Sequence, residues 1–229
     1  MREKKLIVKN QRVLSRNVKP CVVAISILAL QGCVWSGYLV RPDGHTLYGT
    51  PPGPVASLQN INNPTFKTNA IDALETAAQV IQHPDFEASL KTREFRMSCD
   101  SDVLVKGSAV IDDLRRAFDF SLVARKPFRA IAVTDIANQR MAIKKSRFQG
   151  WNGDVEARAD MIETLVHEMT HLVPERGFTG DPINARHLYK DDGHGSPSCP
   201  DNQLVSYELG RIAGEVYKLN HEVFDQHPS

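Results

Sequence analysis

Residues 155–173, VEARADMIETLVHEMTHLV, constrain the chain more than any other stretch. Ile162, Leu165, Val166, Met169, Leu172 and Val173 cover much of a helical surface, so this helix must be substantially buried. The same helix carries His167, Glu168 and His171. Histidines four residues apart lie one turn apart on one face. Polar groups inside a protein are costly without partners, and a fold built around this helix has to supply them. A metal ion held by both imidazoles is one supply.

The N-terminus bears on where such a helix works. Residues 1–19 hold seven Lys and Arg against one acid, Glu3, and residues 21–30, CVVAISILAL, are uncharged. That apolar run is far short of the ~20 residues of a membrane-spanning helix. A basic segment, a short apolar run and then small residues read as a secretory signal over 1–32. Leu30-Gln31-Gly32-Cys33 resembles a bacterial lipobox, in which Cys33 is lipidated and becomes the mature N-terminus. Val34 follows, with no Asp to signal inner-membrane retention, so the expected location is the outer membrane, facing the periplasm. Removing residues 1–32 leaves 21 basic and 26 acidic residues, a net charge of −5. Nothing in this balance suggests nucleic-acid binding, which would call for a basic patch. Cys99 and Cys199 remain for a single disulfide, which an oxidising compartment permits.

Residues 33–66 contain RPDGHTLYGTPPGP and NINNPTF and read as a lipidated N-terminus and flexible tether. The domain then spans 67–229. Ile71, Leu74, Ala77 and Ile81 recur at helical spacing from Thr68, and the helix should stop at His83-Pro84. A short helix at 85–92, mixed strand character in EFRMSCDSDVLV and a helix near 107–119 follow. FRAIAVTD (128–135) and QRMAIKKSRF (139–148) read as a strand hairpin. Asp154 can cap the motif helix, with Glu156 in its first turn, and Pro174 and Gly177 end it. A long irregular segment, 174–200, leads to a last helix at about 201–220. The expected class is α+β: mainly helical, with a small sheet or hairpin packed on the motif helix.

The chemistry of His-Glu-x-x-His is specific. The two imidazoles can converge on Zn2+, while the glutamate beside them can accept a proton from a water whose pKa the metal lowers. Such a site needs a third ligand. Gly and His at the third and sixth positions after His171 would mark a metzincin, but Pro174 and Gly177 stand there. Asp181, His187, His194 and Glu208 are the candidates downstream. Glu208 lies between Leu204 and Ile212 on the last helix, as the glutamate of thermolysin-like enzymes does, or else forms a buried ion pair.

The stretch from Glu163 to Leu219 resembles the aspzincins, the family of deuterolysin and the lysine-specific metalloendopeptidases. LVHEMTH is similar to that family's motif helix, SYELGRIAGE from Ser206 to its closing helix, and RFQGW to the segment before the motif. The resemblance implies a zincin-like zinc metalloendopeptidase. It implies His167, His171 and Asp181 as ligands, Glu168 as general base and Tyr189 as oxyanion stabiliser. The expected partners are a peptide or protein substrate and the membrane, through the N-terminal lipid. The alternative is a non-catalytic, zinc-stabilised envelope lipoprotein with a binding or structural role.

Overall fold

The computed structural model describes residues 54–125, 129–192 and 194–225. The signal segment, Cys33 and the first part of the tether lie outside them. Along the described chain run β1 (Ala56–Gln59), α1 (Pro64–Gln82), α2 (Pro84–Lys91), β2 (Glu94–Arg96), β3 (Leu104–Lys106), α3 (Gly107–Leu114) and β4 (Phe120–Arg125). Then come β5 (Ala132–Asp135), β6 (Arg140–Lys144), α4 (Lys145–Gly150), α5 (Val155–Thr170) and α6 (Val205–Phe224). Among the described residues no helix is long and apolar enough to cross a membrane.

Local chemistry sets the helix ends. The Asn63 side chain accepts from the Phe66 amide ahead of α1, and Pro64 occupies its first turn. His83 is extended, as a residue before proline should be, and its ring accepts from the Asp85 amide to start α2. Asp154 accepts from the Ala157 amide and caps α5, the motif helix.

The sheet is larger than a hairpin. Its strand order is β1-β4-β6-β5, with β1 and β6 parallel to β4 and β5 antiparallel to β6. β2 and β3 form a separate antiparallel pair. Two local expectations differ from this arrangement, and one strand lies where none was assigned. Residues 56–59, assigned to the tether, form an edge strand whose Ala56 and Leu58 are buried. Residues 120–125 form a central strand whose first four residues are all buried, so the chain shows no alternation there. Residues 145–150 turn into a helix after Ile143, and it carries Phe148 into the core, where the Asn69 amide donates to the Phe148 carbonyl.

The core joins α1, α5 and α6 to the inner side of the sheet, with Leu74, Met161, Ile162, Leu165, Val166, Leu209 and Tyr217 essentially inaccessible. α6 lies close along α5 because Gly210 has no side chain. A Cβ there would stand 2.8 Å from the Glu163 carbonyl oxygen and 3.1 Å from the His167 Cβ. Arg93, just ahead of β2, pairs with Glu208 of α6, and Arg96 and Leu204 form a backbone bridge.

Candidate metal centre

His167 lies in the last turn of α5, and His171 is its C-cap residue. The rings meet edge to face, with centroids 5.1 Å apart and Nε2 atoms 3.4 Å apart. A carboxylate completes the group. Asp191 Oδ2 lies 3.1 Å from His167 Nε2, and Oδ1 lies 3.1 Å from His171 Nε2. Ser206, in the first turn of α6, donates to Oδ1 at 3.2 Å.

These contacts fix the tautomer that matters. His171 Nδ1 donates to the Tyr189 carbonyl at 3.0 Å, so in the neutral ring Nε2 presents a lone pair toward Asp191. When His167 carries its proton on Nδ1, two imidazole nitrogens and a carboxylate face one another as acceptors, and a shared cation makes that arrangement favourable. Protons can serve. Burial opposes ionisation of Asp191, yet hydrogen bonds from His167 and His171 outweigh it and hold the carboxyl well below its usual range. Burial likewise opposes charging of His171, and Asp191 outweighs it, so the imidazole is raised. A divalent cation would replace those protons. The ligand atoms of His167, His171 and Asp191 all lie within 4.8 Å of one another. Two nitrogens and an oxygen from three side chains, with a fourth position left over, suit Zn2+. The residues fit the ion.

Glu168 is buried beside this group and is held from the sheet. Thr134 of β5 donates to its Oε2 at 2.7 Å. β5 is an edge strand and forms one wall of a cleft of about 900 Å3. Glu168 and His171 line the cleft, and the segment from Ala185 to Asp192 forms the facing wall.

The carboxylate that the fold brings to the two histidines is that of Asp191, not Asp181. After α5 the chain leaves and returns. Pro174 bridges His187, the Glu175 amide donates to the Arg186 carbonyl, and the Leu188 amide donates to the Val173 carbonyl. Asp181 sits midway along that excursion, exposed, where its Oδ1 accepts from the Ile183 amide and caps the 3-10 turn Pro182–Asn184. The returning segment instead brings Tyr189 and Asp191 back alongside the end of α5.

Tyr189 is likewise placed differently from an oxyanion stabiliser. Its ring is fully buried and its hydroxyl donates to Asp113 Oδ2 at 2.6 Å, so only its carbonyl faces His171. Glu208 is held by Arg211 through two 2.8 Å contacts and by Arg93 through one. His187 Nδ1 donates to the His171 carbonyl at 2.7 Å. His194 lies against the Tyr207 hydroxyl and Asp201. Cys99 and Cys199 are joined as a disulfide.

Sequence reasoning missed Asp191 and Thr134, and it named Ser206 only as the start of the stretch that resembles a closing helix. No periodic pattern marks Asp191, because a reversal in irregular chain delivers it. Tyr207, whose ring packs 4.6 Å from that of His167, belongs to the same stretch. No family model, curated protein or solved structure matches this chain.

Proposed function

We propose that the protein is a zinc-dependent metalloendopeptidase of the cell envelope. The observation that carries this reading is the convergence of His167, His171 and Asp191 beside a buried Glu168, at a cleft walled by an edge strand. His167 Nε2, His171 Nε2 and the Asp191 carboxylate would hold Zn2+. The ion supplies Lewis acidity toward a water and toward the scissile carbonyl.

The chain's own residues account for the rest. Glu168 accepts the water's proton and returns it to the departing amine. Thr134 occupies Oε2, which leaves Oε1 of Glu168 free for that exchange. The outer edge of β5, unpaired among the described residues, can bind an extended peptide backbone as an added strand and set its carbonyl over the site. An unpaired strand edge suits a polypeptide better than a compact small molecule. A purely structural site closes its fourth position with protein. Among the described residues the cluster has three members, and His187 and His194 are engaged elsewhere.

The test is cleavage of a peptide library by the zinc-loaded full-length protein, with Glu168→Gln as control. The variant should keep zinc and its fold but lose hydrolysis by at least about 100-fold, since an amide accepts no proton. Equal cleavage by both proteins, or none by either, overturns the reading.

A further inference from the structure

Asp191 is the one member of the proposed metal cluster that lies outside α5 and its C-cap, and its position depends on a different part of the chain. On its N-terminal side, the Lys190 amide donates to the Met97 carbonyl at 2.9 Å. On its C-terminal side, Cys199 is bonded to Cys99. Both anchors lie within three residues of one another, just after β2. Arg96 reinforces them. Its Nη1 donates to the Ser198 carbonyl and its Nη2 to the Cys99 carbonyl, each at 2.9 Å, so one guanidinium holds both sides of the bridge. Between the anchors the described loop has no helix or strand.

We infer that the Cys99–Cys199 bridge and Arg96 are positioning elements for the Asp191 ligand, so that opening the bridge releases the metal while the fold persists. The inference rests on the metal-centre reading above. Its physical basis is pre-organisation: a ligand held at both ends loses little freedom on binding, whereas one on a free loop must be ordered by the metal itself. The two histidines stay in place either way, because α5 and the Tyr189 carbonyl hold them. Cys99 is partly exposed and gives a reductant access, while Cys199 is buried. In the opening step a tertiary phosphine attacks one sulfur and the S–S bond breaks. Water then supplies the oxygen of the phosphine oxide, and two protons leave both cysteines as thiols.

The experiment compares zinc affinity, by chelator competition, in the full-length oxidised protein and in Cys99→Ser/Cys199→Ser, which lacks both thiols that opening the bridge would expose. Cobalt substitution reports the ligand set through its visible absorption. The double variant should bind zinc about 10-fold or more weakly with an altered cobalt spectrum, yet keep its metal-free circular dichroism. Phosphine-treated wild type should lose the native cobalt spectrum and regain it on reoxidation. Should the double variant fail to fold, Arg96→Ala with the bridge intact decides, and it should also weaken zinc binding. Unchanged affinity and spectrum in whichever variant folds overturns the inference. If the oxidised wild type binds no zinc at all, the metal-centre reading fails instead, and this inference with it.

Discussion

Asp191 receives contacts from His167, His171 and Ser206, so its loss should be felt by the metal before it is felt by the fold. Removing an outer-sphere partner of a metal site typically costs 10–100-fold in affinity. With Asp191 as the proposed direct ligand, Asp191→Asn should exceed about 100-fold in zinc titrations. Asp181→Ala removes only the cap of an exposed turn and should leave zinc affinity unchanged. The opposite ranking would return the ligand role to Asp181. Tyr189→Phe separates two roles. It deletes the bond to Asp113 but keeps the carbonyl that orients His171. We expect a stability loss of about 1–2 kcal/mol in denaturant melts, with kcat of the zinc-loaded enzyme unchanged. A collapse of kcat at intact stability would restore a direct role for the hydroxyl. At this scale the sequence shows what is local. His167, Glu168 and His171 are legible because helix geometry alone brings them together. Asp191 is not, because its place depends on Pro174 meeting His187 thirteen residues later.

The packing of α6 on α5 gives a pair of opposing predictions. Replacing a helical glycine by alanine gains up to about 1 kcal/mol in propensity. At Gly214 the nearest atom to an added Cβ is 3.4 Å away, so Gly214→Ala should be neutral or stabilising. At Gly210 the added Cβ would be 2.8 Å from a backbone oxygen that cannot swing aside, and α6 must move. Overpacking of this kind costs about 1–3 kcal/mol, so Gly210→Ala should be destabilising on balance. It should also weaken zinc binding, because Ser206 and the His167 Cβ lie along the same contact. Thermal melts and zinc titrations of the two variants check this, and equal behaviour would refute the close-contact argument. The long helices are legible in advance because period and caps agree, as Asn63 and Asp154 show. β1 and β4 are not. β4 is buried on both faces and offers no alternation, and β1 is four residues long beneath a Gly- and Pro-rich composition.

Across the whole molecule, acid stability should depend on Asp113. It is buried and bonded by Arg176, Arg116 and Tyr189. Burial raises its carboxyl and these partners lower it further, leaving it below the usual value. A depressed folded pKa contributes stability that is present above the unfolded pKa of about 3.9 and lost as pH falls through the folded value. Asp113→Asn should therefore cost about 1–3 kcal/mol near neutrality. The difference from wild type should shrink below about pH 4, which urea melts across pH would show. A constant difference at every pH would exclude the charge as its source. The same long-range connections govern when the site can exist. Cys99 and Cys199 are 100 residues apart, and the donors at 167, 171 and 191 and the hydroxyl at 206 all come from the later part of the chain. A growing polypeptide has the sheet and the cleft wall long before it has Asp191 or the helix that steadies it. The donors of the proposed centre thus follow every strand of the sheet in chain order, and a chain still being made has no place for the ion until Asp191 and the start of α6 have emerged.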